Sequence, residues 1–257
     1  MFWLQILLML SAGIPIGAAW WANRNTALVH ALFWGLLAWM AWLGSAVVYT
    51  SETRYIACSL TACAGVAVLG ARRPGAAAWN GVVVGLFAVL LLPLAQASFT
   101  GGAIFVNPIA RWFLTVLLIV GVGNYFPTRL FAGTLLLLAA GMSDLWDFPK
   151  ERMLSEWRWP LATVALSPWL AAAGIRFWKS RKSEPANQLW REFRDRFGAV
   201  WALRMQDQFN HSAQNAGMAL VLGWTGIRSQ DDRPLSKNEK AAGLELMVAL
   251  LQRFGLP

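Results

Sequence analysis

Charge is scarce over the first two-thirds of this chain, with nine Lys/Arg and five Asp/Glu between Met1 and Ile175 against thirteen and eight from Arg176 to Pro257. Cysteine and histidine are scarcer still, at two each in 257 residues. Cys58 and Cys63 share one apolar stretch, and five positions apart they fall on different sides of a helix. That spacing excludes a disulfide-stapled exterior and a two-thiol metal site, and both residues read as small buried hydrophobes. No P-loop, zinc-ligand spacing or dinucleotide-binding motif occurs, so the residues point to no enzyme chemistry and to no cofactor. Carriers driven by protons or sodium place a carboxylate near the middle of the membrane, and none of the five acidic residues before Ile175 falls there. Internal repeats and paired helix breaks, the marks of an inverted-repeat transporter, are missing too.

What the chain does have is apolar length. Hydrophobic residues make up 57% of it, above the roughly 45–50% of soluble domains. A spanning helix needs about 20 mostly apolar residues. Phe2–Ala22, Thr26–Tyr49 and Ala76–Ala97 meet that, while Tyr55–Ala71, Arg111–Phe126, Arg129–Met142 and Trp159–Trp178 are shorter or more interrupted. The pattern predicts an all-α fold: a polytopic bundle of about seven transmembrane helices over residues 1–178, a basic linker over 179–186, and a small helical cytoplasmic domain over 187–257. Six or eight crossings remain compatible with the pattern, because Gln96–Pro108 can be read as a re-entrant piece.

The net charge of +9 would suggest nucleic acid in a soluble protein. Here Lys and Arg gather in cytoplasmic loops and beside anionic headgroups instead, and no basic stripe interleaved with aromatics continues into the tail, so nucleic acid is not an expected partner. Arg24, Arg72, Arg73 and Arg129 then mark inner loops, with the N-terminus outside, and Arg54, Arg111, Lys150, Arg152 and Arg158 lie outside. The cluster Arg176, Lys179, Arg181 and Lys182 reads as a lipid-headgroup contact. The first segment lacks the basic start of a secretory signal and reads as a retained helix in a multi-pass protein of the cell membrane.

Sixteen tryptophans are far more than an ordinary chain of this length carries. Trp3, Trp20, Trp21, Trp79, Trp112, Trp159 and Trp178 fall near predicted helix ends, where indoles favour the headgroup level. Trp34, Trp39 and Trp42 lie deep in the second segment, either packing helices or lining an aromatic cavity. His30 stands near the start of that segment, a weak candidate for a metal or haem ligand and more simply a hydrogen-bonded structural residue. Asn80 and Gln96 read as interhelical glue. In the outer loop, Asp147 and Pro149 can open a short surface helix that puts Met153, Leu154 and Trp157 on one side.

The run Trp146-Asp147-Phe148-Pro149-Lys150-Glu151, with Trp157 beyond it, is loosely similar to the tryptophan-rich outer loop of cytochrome c assembly proteins that handle haem. That likeness covers about a dozen residues, and Phe148 interrupts the Trp-Asp-Pro-Lys-Glu run of that family. It implies a haem held by histidines of the membrane and outer loops. The outer loops of this chain contain no histidine, and an interfacial tryptophan-rich loop accounts for the same string.

In the tail, Leu189–Asn210 reads as an amphipathic helix whose Trp190, Phe193, Phe197 and Trp201 recur at three- and four-residue steps. Met218–Ile227 reads as a short extended or irregular segment. Ser236 and Glu239 form a capping box opening a helix to about Phe254, with Ala242, Leu246, Ala249, Leu250 and Phe254 on its apolar side and Gly255 as the stop. Four or five large apolar side chains exposed together would be a liability, so Trp190, Phe193, Phe197 and Trp201 are read as a docking face. The expected function is binding, as an accessory or scaffolding subunit of a membrane assembly with a protein partner. A permease for a neutral or amphipathic small molecule is the alternative, and a membrane enzyme or haem-handling protein comes third.

The expected topology can be read with single cysteines at positions 72, 129 and 147 of a cysteine-free protein. An impermeant thiol reagent applied to intact cells should label position 147 and spare 72 and 129, and the reverse pattern would invert the orientation.

Overall fold

The computed structural model describes residues 2–48, 50–72, 75–101, 106–146, 159–179, 184–231 and 233–256. Nearly every apolar run forms a helix: α1 (Phe2–Asn23), α2 (Val29–Val47), α3 (Ser51–Leu69), α4 (Ala76–Leu90), α5 (Leu92–Thr100), α6 (Pro108–Gly123), α7 (Phe131–Leu145) and α8 (Trp159–Lys179). Pro93 in the first turn of α5 separates it from α4, since proline cannot donate to the preceding turn. The two still form one apolar run, Ala76–Thr100. Three helices are long and apolar enough to cross a membrane, Trp3–Asn23, Val29–Val47 and Ala76–Thr100, and Pro108–Gly123, Phe131–Leu145 and Pro160–Ile175 are shorter apolar helices.

Six of the first eight helices close into a ring. Neighbours run α1, α2, α3, α6, α7, α8 and back to α1, with α4 applied to the outside of α3 and α2. At the hub, α3 also touches α7 and the tail. Small side chains explain why α3 takes that place: Ala57, Cys58, Ser59, Ala62 and Cys63 are all buried. Where α3 passes α6, a Cβ on Gly65 would sit 3.0 Å from the Cα of Gly121, the close approach that small residues allow between apolar helices. Both cysteines are free and buried, as expected of them.

The tail consists of α9 (Pro185–Asn215), a hairpin of β1 (Leu220–Leu222) and β2 (Ile227–Ser229), and α10 (Lys237–Leu251), which tightens into a single 3-10 turn over Gln252–Phe254 before Gly255. The segment read as extended or irregular is thus an antiparallel pair with Leu222 opposite Ile227. Asn210 of α9 holds β1 by accepting from the Leu222 amide at 2.7 Å. The capping box of α10 forms as expected, with Ser236 and Glu239 bonding reciprocally. Its apolar side is turned from the expected one. Gly243, Met247, Leu250, Leu251 and Phe254 are buried and Ala249 is exposed, because the hairpin packs Ile227 and Leu220 onto Gly243. The expected surface helix after Asp147 and the linker residues 180–183 lie outside the described residues.

Arg233 and the Ser236 backbone N–H hold the Glu239 carboxyl at about 2, below its ordinary 4.5. A depressed carboxyl stabilises the cap above its unfolded value and ceases to as pH falls through the folded one. Protection of the Glu239 amide from hydrogen exchange should therefore persist from neutral pH to pH 4.5 and decline only toward pH 2. Ser236→Ala should cost about 1 kcal/mol at every pH in that range.

Candidate functional site

The deep tryptophans of α2 act as ties between helices. Trp34 donates its indole N–H to Asn80 of α4 at 2.8 Å, Trp39 to the Met9 carbonyl of α1 at 2.8 Å, and Trp42 to the Thr61 hydroxyl of α3 at 3.0 Å. Trp34 and Trp42 are buried and Trp39 is half-buried. Neither of the two described cavities is lined by any of the three. Asn80 is the interhelical bond its polarity suggested. His30 sits half-buried in the first turn of α2, and among the described residues no three His, Cys, Asp or Glu gather as a metal site.

Of the tryptophans expected at helix ends, Trp3, Trp21 and Trp112 are indeed largely exposed. Trp79 instead turns inward and donates to the Val66 carbonyl at 3.1 Å. That carbonyl belongs to the last turn of α3, where four backbone acceptors lack a partner within the helix. Its neighbour, the Val68 carbonyl, takes the indole N–H of Trp201 at 3.0 Å. One end of the hub helix is thus capped by indoles from two other elements.

The second of those indoles belongs to the face read as a docking surface. Trp190, Phe193, Phe197 and Trp201 are all buried. Phe193 stacks on Phe197 with ring centroids 4.8 Å apart, and Phe254 meets Phe193, Phe197 and Trp201 edge-on at 4.8, 4.9 and 5.3 Å. The Phe254 carbonyl in turn accepts the Ala27 amide of the α1–α2 loop at 2.9 Å. The aromatic face is covered within the chain itself, by the last helix on one side and by the bundle on the other.

The contact that fixes this arrangement is a break in α9. Gly198 adopts φ 79° and ψ −177°, a backbone that residues with a Cβ rarely take. The break strips three backbone groups of their helical partners, and Asn124, at the end of α6, supplies all three. Its carbonyl accepts from Ala199 at 2.6 Å, its side-chain oxygen from Val200 at 3.0 Å, and its side-chain N–H donates to the Phe197 carbonyl at 3.3 Å. A Cβ on Gly198 would lie 2.2 Å from the Asn124 side-chain nitrogen. Beside it, Tyr125 donates its hydroxyl to the Arg196 carbonyl at 3.2 Å, and burial pushes that phenol's pKa up.

A buried charge cluster completes the junction. Asp195 receives Arg129 of the α6–α7 loop at 3.1 Å and Arg194 at 3.1 Å, with its own side chain only 6% exposed. Arg194 also donates to the Trp224 carbonyl at 2.8 Å and lies over the Trp224 ring. Burial loosens Arg129's hold on its proton, and Asp195 opposes that effect. Loops after α1 and α6, together with the end of α3, therefore all meet the tail at one end of the bundle.

The opposite end holds a polar cavity that the sequence did not reveal. Arg54 pairs with Asp144 of α7 at 3.0 Å, and the Asp144 side chain is 6% exposed. A cavity of ≈130 Å³ lies there, lined by Ser51, Arg54, Tyr55, Arg111 and Asp144 among others. Thr50 caps α3 before Arg54, so this arginine, read from the sequence as a charge just ahead of an apolar stretch, belongs to the first turn of the helix. No signal along the chain pairs Arg54 with Asp144, which lie ninety positions apart. The headgroup candidates Arg176 and Lys179 lie on α8, but their side chains, with Arg181 and Lys182, fall outside the described residues. Compared with protein-family models, curated proteins and solved structures, the chain matches none.

Asp195→Asn would remove the carboxylate that receives buried Arg194 and half-buried Arg129, a loss of about 3–5 kcal/mol. Asn124→Ala would orphan the groups at the break, at about 1–3 kcal/mol each. Both variants should speed hydrogen exchange at the Ala199 and Val200 amides, which donate to Asn124 across the junction, and leave the α2–α3 contact protected. Unchanged exchange at those two amides would show that the junction does not hold the tail.

Proposed function

We propose that this protein is a seven-crossing membrane protein, N-terminus outside and tail in the cytoplasm, that works by binding as an accessory or scaffolding subunit of a membrane assembly. The observation that carries the reading is the junction itself. A break, a buried charge cluster and an aromatic stack together fix the tail onto the bundle at Asn23–Ala27, Val68 and Asn124–Arg129. Rigid attachment of this kind suits a platform that presents one surface to a partner. Segregation of alternate loops to opposite ends supports the odd number of crossings: Ala27, Val68 and Asn124 meet the tail, while Arg54, Arg111 and Asp144 surround the cavity at the other end.

With the aromatic face of α9 taken up within the chain, the protein partner would meet the outer side of the tail, where Lys237, Asn238 and Glu245 of α10 face water. The peripheral helix pair α4–α5, exposing Val82, Val89, Leu92 and Phe99, would face lipid or a partner helix. A permease would need an open path beside Trp34, Trp39 and Trp42, and their indole bonds to three neighbouring helices favour packing instead.

Gently solubilised from its native membrane, the full chain should run on native gels within a complex larger than itself. Lys237→Glu combined with Glu245→Lys should release it while leaving the Ala199 and Val200 amides protected. A chain that runs alone, and that raises the permeability of reconstituted vesicles to a neutral solute, would overturn the subunit role and install the permease.

A further inference from the structure

A second basic feature lies at the tail end of the bundle, against the aromatic edge of the junction. Arg72, Arg204 and Arg253 line a cavity of ≈180 Å³ together with Trp201, Asp207 and Phe254. That is room for roughly six water volumes, ample for a tetrahedral phosphate. Three other tail arginines are ion-paired: Arg194 with Asp195, Arg196 with Glu192, Arg233 with Glu239. Around this cavity, among the described residues, Arg72, Arg204 and Arg253 make no ion pair, and Asp207 is the single carboxylate facing three cations. Arg204 lies over the Trp201 ring at 5.1 Å, which holds the guanidinium at the wall of the cavity. Guanidinium forks suit phosphate oxygens.

The depth of the cavity points to the source of the phosphate. Trp201, which forms part of its wall, donates to the Val68 carbonyl in the last turn of α3. If α3 crosses the bilayer, that carbonyl lies at headgroup level, where basic pockets between helices take anionic lipids. On the flank of α9 beside Arg204, Val200 and Leu203 are 36% and 54% exposed, an apolar shelf suited to an acyl chain.

We propose that Arg72, Arg204 and Arg253 bind the phosphate of an anionic phospholipid from the leaflet on the tail side. This rests on α3 crossing the membrane and is independent of the scaffolding role. The purified full chain in mild detergent, titrated with phosphatidylglycerol or phosphatidylcholine and read by native mass spectrometry, tests it. Phosphatidylglycerol should bind in preference, and Arg204→Gln with Arg253→Gln should weaken it by about tenfold or more, the loss expected for charge-assisted hydrogen bonds. Arg204→Lys with Arg253→Lys, which keeps the charge but loses the guanidinium fork, should weaken binding less than the double glutamine variant, and Arg24→Gln, at the same end but outside the cavity, should not alter it. Slow exchange at Ala199 and Val200 in each variant verifies the docked tail. Equal binding of the two lipids, or phosphatidylglycerol binding unchanged in the double glutamine variant, would overturn the proposal. Inorganic phosphate that occupies the cavity without displacement by phosphatidylglycerol would overturn the lipid assignment and make the ligand a soluble phosphate.

Discussion

The break at Gly198 is the point on which the tail's placement depends. A helix of thirty-one residues interrupted in its middle exposes donors and acceptors that cost about 1–3 kcal/mol each if left buried and unpaired. Asn124 satisfies them, and it can approach because Gly198 has no side chain to occupy the same space. Once that contact forms, Tyr125 and Arg129 on the following turn are brought against Arg196 and Asp195. The aromatic face of α9 is then held over the ends of α1 and α3, and Phe254 closes the stack.

The same requirement, that polar groups away from water find partners inside the chain, governs the bundle. Indole N–H groups meet much of it. Trp39 and Trp79 reach backbone carbonyls of neighbouring helices, Trp34, Trp42 and Trp146 reach side chains, and Trp201 caps the hub helix from the tail. Tryptophan suits this task because one large apolar ring fills the space between helices while a single donor fixes its direction. Among the described residues, tryptophan thus serves the seams between helices as well as the surface, where Trp3, Trp21, Trp112 and Trp169 are exposed, while the side chains expected at the interface at Trp159 and Trp178 lie outside the described residues.

Much of the local structure was legible. The capping box at Ser236 and the stop at Gly255 follow from side-chain and backbone chemistry within a few residues, and both appear where that chemistry puts them. Five-residue spacing placed the two cysteines on separate faces and left them as buried thiols. The aromatic periodicity of α9 identified Trp190, Phe193, Phe197 and Trp201 as one face that had to be covered, and all four are covered. The apolar face of α10 was misplaced by about one position, because Gly243 offered no hydrophobic signal and yet receives the hairpin.

Periodicity and local chemistry therefore determined where the helices run, where they are capped and which side chains seek burial, since each depends on neighbours within a turn or two. Only the tertiary structure decided what meets those side chains. Arg54 and Asp144 are ninety positions apart, and Asn124 and Phe197 seventy-three, and no pattern along the chain links either pair. The coverage of α9 by its own bundle, the inward turn of Trp79 and the gathering of Arg72, Arg204 and Arg253 around one cavity are likewise products of how the helices pack, because each joins groups that the chain brings together only when it folds back on itself.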